Sequence, residues 1–92
     1  MNLFSAASAN GDSSTISPRA DCRGNYRTFK TNISGTATVT LYGRMDPNDA
    51  TWAQLAQFTA SGVVAVLLPP QIKATISGAS GATVSAWIDC FQ

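Results

Sequence analysis

Apolar and polar side chains alternate along most of this chain, in short runs separated by turn-forming residues. In residues 26–33, 36–42, 72–76 and 83–89, alternate positions hold mainly Phe, Val, Leu, Ile or Ala, with mainly Thr, Ser or charged residues between them. Because successive side chains on a strand point to opposite faces, this alternation predicts strands with one buried face. Gly, Pro, Asn and Asp between the runs predict tight connections.

The remaining segments are less regular. Residues 50–58 fit either a short helix or a strand, and the β context on both sides favours a strand. Residues 63–68 are apolar on both faces, which predicts a strand covered on two sides, by a second sheet and the N-terminal segment or by another subunit. Residues 15–20 predict a short edge strand, because Pro18 cannot donate to a central ladder.

Short links are predicted between these strands. Ser34-Gly35 is interpreted as a turn, and residues 78–81 (Gly-Ala-Ser-Gly) as a hairpin connection. The sequence therefore predicts an all-β fold, a small antiparallel, jelly-roll-like β-sandwich of about six to seven strands in residues 15–92. Residues 1–14 are expected to form an N-terminal arm, with a disordered terminus as the alternative.

Charge is scarce. Of the 92 residues, 12% are charged and 45% are apolar, whereas an ordinary soluble domain has about 25% charged residues. Such a surface is expected to be covered in the working state, unless the exterior is simply rich in Ser and Thr. The net charge of +1 gives no reason to expect nucleic acid or an anionic membrane as a partner. The longest apolar run, 63–68, is too short to span a bilayer.

Groups for enzyme chemistry are few. The chain has no His or Glu, and its carboxylates are Asp12, Asp21, Asp46, Asp49 and Asp89. An acid/base pair would have to come from turn and edge positions, so we expect no enzyme activity and no cofactor.

Two further groups of residues leave alternatives open. The loop containing Asp46, Asn48 and Asp49 is interpreted as turn chemistry in preference to a calcium site. Cys22 and Cys90 lack metal-site spacing, and they are either joined by a disulfide or two free buried thiols.

Candidate contact residues come from three places. Leu3 and Phe4 are apolar anchors in a polar arm. The basic cluster of residues 19–30 suggests either an interface with an acidic partner or a charged, solvated edge strand. Aromatic residues on the outward face of the last strand suggest contact with another chain, or packing beneath the arm. The predicted partner-binding residues are Leu3, Phe4, Arg19, Arg23, Arg27, Trp87 and Phe91.

A family resemblance is carried by residues 36–52, Leu55, 58–62, 72–78 and 81–86. A strand leads into a turn containing Asp46 and then to Trp52, and a Thr-Ala-Ser-Gly link at 59–62 opens the next strand. This order resembles small structural proteins of tailed bacteriophage virions over roughly residues 24–90. The chain departs from that pattern at residues 47–50, where Pro-Asn-Asp-Ala stands in place of a Gly near the turn.

The resemblance implies a capsid decoration, or cement, protein that binds the outer capsid lattice. Its expected partners are the major capsid protein or other virion subunits and further copies of itself, as a trimer or dimer. The alternatives are a tail, neck, baseplate or fibre structural component and a carbohydrate-binding module using Tyr42, Trp52 or Trp87. Residues 1–6 lack the basic start of a secretion signal, so synthesis in a host cytoplasm is expected, with the virion as the final location.

Overall fold

The computed structural model describes residues 2–13, 15–17, 25–46 and 48–88, and within these it contains strands and no helix. The prediction of an all-β fold is confirmed, as six strands form one antiparallel sheet. The strands are β1 Asn2–Ala7, β2 Gly11–Asp12, β3 Tyr26–Arg44, β4 Ala53–Phe58, β5 Gly62–Leu67 and β6 Gln71–Ile88.

Two long strands, β3 and β6, organise the sheet. They pair with each other from Phe29↔Ile88 to Arg44↔Gln71. On the far side of β3, β5 pairs with its first half and β4 with its second half. On the far side of β6, β2 pairs with its first half and β1 with its second half. The sheet thus has two four-stranded halves, β5-β3-β6-β1 and β4-β3-β6-β2.

These two halves fold onto each other. The 19 residues of β3 would span roughly 60 Å if straight, but the longest dimension of the molecule is 36 Å. The rings of Phe29 and Phe58 lie with centroids 5.9 Å apart, although Phe58 pairs with Val39, about 33 Å along a straight strand from Phe29. The folded sheet is therefore a small β-sandwich built from one continuous sheet.

The bend lies at glycines. Gly78 and Gly81 have φ of 63° and 59°, and the β3–β6 register shifts by one residue beside each of them. A left-handed Gly at an extra residue is the geometry of a β-bulge, which bends a strand without reversing it. Opposite them, Gly35 has φ of 90°, and a Cβ there would overlap the carbonyl oxygen of Gly81.

The two predicted turns at the bend are wrong. Ser34-Gly35 lies within β3, and residues 78–81 lie within β6, so neither segment reverses the chain. The two bulges add two residues to β6, so even-numbered residues of β6 face inward both before and after the bend. One bent strand and two strands joined by a turn therefore give the same alternation of apolar and polar residues in the sequence.

The predicted buried faces are confirmed. The core contains the inward residues of both halves: Phe29, Ala37, Val39, Leu41, Ile72, Ala74, Ile76, Val84, Ala86 and Ile88. The preference for a strand in residues 50–58 is also confirmed, as β4. Of residues 15–20, the described part makes one bridge, Ile16↔Ile72, and residues 18–20 lie outside the described ranges.

The described residues of the expected arm pair with β6 of the same chain. Leu3 is 9% exposed and belongs to the core, and Phe4 packs against it. Ser85 Oγ accepts a hydrogen bond from the Ala6 amide at 3.0 Å. Ser13 Oγ accepts one from the Ala74 amide at 2.9 Å. In the isolated chain this segment is therefore an edge of the sheet.

Candidate interaction surface

The outward face of β5 and the start of β3 is apolar and exposed. Tyr26 is 70% exposed, Val63 61% and Leu67 48%. Tyr26 lies opposite Leu67, and Lys30 lies opposite Val63, so these side chains share one face of neighbouring strands. Exposed apolar side chains grouped in this way mark a contact surface more often than scattered ones do. We call Tyr26, Val63, Ala65 and Leu67 the β5 patch.

β5 differs from its predicted environment. Its inward residue Val66 is 4% exposed, as expected for a core position. Its outward residues were expected to be covered, yet no element among the described residues covers Val63 or Leu67. Among the described residues, β1 pairs with β6 and leaves this face exposed, and cover by another subunit stays a prediction. The sequence feature that indicates this surface is the apolar run 63–68.

Trp87 extends this outward face across β3. It is half-buried, lies opposite Asn2 on β1 and Lys30 on β3, and has Lys30 Nζ 5.6 Å from its ring centroid. β1 lies beside Trp87 in the sheet. Trp87 is therefore separated from Val63 on β5 by one strand, and the ammonium group of Lys30 lies on that strand.

The other predicted contact residues lie apart from this face. Leu3 is in the core and Phe4 packs against it, so the two apolar anchors are occupied within the chain. Arg27 is half-buried and pairs with Val66, on the inward-facing parity of β3. Arg19, Arg23 and Phe91 lie outside the described residues, as do Cys22 and Cys90.

A charged cluster lies on the outward face of the other half. Arg44 Cζ and Lys73 Nζ lie 4.3 and 4.7 Å from the centroid of the Trp52 ring. Arg44 Nε donates to Gln71 Oε1 at 2.7 Å, and its Nη1 donates to the Asp49 carbonyl at 3.1 Å. Two cations on one indole hold the loop before β4 against β3 and β6, so this tryptophan acts as a structural clamp.

Asp12 connects β2 to the same cluster. Its Oδ1 accepts from Thr75 Oγ1 at 2.7 Å, and its Oδ2 lies 3.5 Å from Lys73 Nζ. The Thr75 hydrogen bond is the main reason that the pKa of Asp12 lies below its ordinary value of 3.8. Desolvation raises this pKa by a smaller amount than that hydrogen bond lowers it, and the charge of Lys73 lowers it further.

The aspartates of the loop before β4 are used in turns. Asp46 Oδ1 accepts from the Asn48 amide at 2.8 Å, and Asp49 Oδ1 accepts from the Thr51 amide at 2.9 Å. These are Asx turns, and the predicted turn chemistry of this loop is present in the structure.

A cavity of about 180 Å³ adjoins this loop, and its lining residues are Gly43, Arg44, Met45, Asp49, Thr51, Ala53, Leu55 and Pro69. Cavities that enclose small-molecule ligands usually measure about 300–1,000 Å³. This one is smaller, and most of its lining surface is apolar although Arg44, Asp49 and Thr51 contribute to it.

In the described parts of the chain, no helix has the length and apolar character needed to cross a membrane. No protein-family model, no curated protein and no solved structure matches this chain, so its interpretation depends on its own residues and geometry.

Proposed function

We propose that this chain is a non-enzymatic structural protein of a virion, and specifically a decoration protein that binds the outer capsid lattice. The observation that carries the proposal is the exposed β5 patch. A 92-residue domain with 12% charged residues exposes Tyr26, Val63 and Leu67 together on one sheet face. A surface of this kind is stabilised when another protein removes it from water.

The free energy available from burying the β5 patch favours binding to a repeating assembly over tight binding to a single partner. Burying a half-exposed Val, Leu or Tyr contributes about 1–2 kcal/mol each, so one patch gives a weak contact after the cost of association. On a capsid the same weak contact repeats at every lattice site. A domain that touches two coat subunits gains effective concentration for its second contact, and binding then stabilises the lattice by mass action.

A carbohydrate-binding role receives less support from the aromatic residues. Sugar stacking needs an accessible ring face, whereas the Trp52 ring has two cations against it and the Trp87 ring has Lys30 over it. A tail, neck or baseplate role uses the same β5 patch against other subunits. It differs from decoration in the number and position of copies per particle.

The test is binding of the purified protein to capsids that lack it, followed by image reconstruction of the particles. We expect occupancy at regular lattice sites with the β5 patch facing the coat protein. The Leu67→Gln variant should bind more weakly by about tenfold or more, since it places an amide in an apolar contact. Ser77→Gln, an exposed change on the outward face of the other half, is the matched control.

Occupancy only in rings or fibres would assign the protein to the tail machinery. Equal capsid binding by the Leu67→Gln and native proteins would remove the β5 patch as the contact surface.

A further inference from the structure

The edge of β5 is the most regular free edge among the described strands. β1 has register shifts on both sides of Phe4, β2 has two residues, and β4 has a shift beside Leu41. β5 pairs with β3 without any shift, from Tyr26↔Leu67 to Thr31↔Gly62. Bulges and short strands are the usual means of preventing edge pairing, and β5 has neither.

The β3–β5 ladder shows which backbone groups of β5 point outward. The Leu68 amide donates to the Asn25 carbonyl at 3.1 Å, one step beyond the Tyr26↔Leu67 pair. Because bonded and non-bonded pairs alternate in an antiparallel ladder, Val66, Val64 and Gly62 form the bonded pairs with β3. The amide and carbonyl groups of Val63, Ala65 and Leu67 therefore face away from β3, at the free edge.

Residues at this edge lack the charges that normally protect it. Residues 62–68 are Gly-Val-Val-Ala-Val-Leu-Leu, and Val63 and Leu67 combine outward backbone groups with exposed apolar side chains. Strands with high β-propensity, no charge and no proline are the ones that accept a further strand by β-augmentation.

We propose that β5 pairs with β5 of a second copy of this chain, antiparallel and about a two-fold axis at Ala65. This register places Val63 opposite the partner subunit's Leu67 and the small Ala65 opposite the partner subunit's Ala65. Val63, Ala65 and Leu67 then each form a hydrogen-bonded pair with a residue of the partner subunit, which gives about six backbone hydrogen bonds between the two β5 strands. The result is one sheet continuous through both copies.

The absence of charge in residues 62–68 favours a second copy as the occupant, because two copies of this segment meet without repulsion. The nearest described cations, Arg27 and Lys30, lie on β3, one strand behind the edge. In the dimer the two β3 strands are three strand spacings apart, about 14 Å, which exceeds the Debye length of about 8 Å at physiological salt. A pair of six-residue strands is a small contact compared with the roughly 1,200 Å² that stable interfaces bury, so we expect the dimer to be reversible.

Pairing through the backbone leaves the outward side chains of β5 on the sheet face. The two β5 patches therefore join into one apolar face of twice the area. The pairing is independent of capsids, and only the use of this joined face on a capsid rests on the proposed function.

The experiment measures self-association of the full chain by sedimentation velocity from micromolar to millimolar concentration, without capsids. We expect a concentration-dependent dimer. Ala65→Lys places like charges opposite each other at the axis and should weaken dimerisation at least tenfold without changing the unfolding midpoint. Thr83→Lys, an exposed change on β6 with the same added charge, should dimerise like the native protein.

Amide exchange of the native protein tests the register without any variant. The amides of Val63, Ala65 and Leu67 should gain protection as concentration rises, while those of Val64 and Val66 are protected throughout. A native chain that stays monomeric at millimolar concentration, or equal weakening by both lysine variants, would overturn the pairing. Capsid binding by a strictly monomeric chain overturns the pairing alone, and dimerisation without capsid binding overturns the decoration role alone.

Discussion

Gly35, Gly78 and Gly81 all have positive φ at the bend of the sheet, but they differ in what surrounds them. A Cβ on Gly78 or Gly81 would meet nothing within 4 Å, whereas a Cβ on Gly35 would overlap the backbone of Gly81. The backbone conformation disfavours other residues at all three positions. Only at Gly35 is the close approach of two strands an additional constraint.

We expect Gly35→Ala to destabilise the fold by about 3 kcal/mol or more, because it combines strain with a backbone clash. Gly78→Ala is the matched control and should cost about 1–2 kcal/mol, the strain alone. Urea unfolding followed by circular dichroism measures both. Equal losses would show that the close approach of β3 and β6 contributes nothing.

Asp12 makes the stability of the β2 edge depend on pH. Its pKa is lowered in the folded chain, so its contribution is present above about pH 4 and is lost as pH falls through the folded value. Because Asp12 is half exposed, we expect Asp12→Asn to cost at most about 1 kcal/mol at pH 6. The difference between native and variant unfolding free energies should shrink towards pH 2. A difference that is the same at both pH values would exclude this carboxylate as its source.

At the scale of elements, β1 has a role that an arm does not have. Leu3 sits in the core beside β6, so the strand contributes to folding of the isolated chain. An arm that served only to grip a neighbour would leave the stability of the monomer unchanged when altered.

We expect Leu3→Ala to lower the unfolding free energy by about 2–3 kcal/mol, since it opens a cavity at a buried site. Ser8→Ala, an exposed change between β1 and β2, should have an effect within about 0.5 kcal/mol. Thermal unfolding at low protein concentration separates this effect from any loss of assembly. If Leu3→Ala had the same thermal unfolding midpoint as the native protein, residues 2–7 would not contribute to the stability of the isolated chain.

The inward faces of the strands were predictable from the sequence because burial alternates with residue parity. The length of β3 and β6 was not predictable. Ile33 and Ala37 are four positions apart around Gly35, and the sequence would show the same alternation whether the chain continues as one strand or turns there. The β5 patch was only partly predictable. An apolar run shows that both faces need cover, but only the structure shows that the described chain leaves one face exposed.

At the scale of the whole molecule, both halves share β3 and β6 and one hydrophobic core. Neither half can lose its strands while the other keeps them, so unfolding should be a single cooperative transition. Trp52 reports on one half and Trp87 on the other.

Variants with a single tryptophan, Trp52→Phe and Trp87→Phe, allow each half to be followed by fluorescence in urea. We expect each variant's fluorescence transition to coincide with its own circular dichroism transition. A fluorescence midpoint separated from the dichroism midpoint in either variant would mean that the halves unfold independently.

The pairing of β3 with β6 also determines when the fold can form. The paired residues are roughly 30 to 60 positions apart in the chain, and such non-local sheets fold in milliseconds to seconds. During synthesis β3, β4 and β5 leave the ribosome before β6, so β3 has no β6 to pair with until that long strand follows. In that interval β5 is apolar on both faces with a free edge, and its neighbours on a polysome are nascent copies of the same strand.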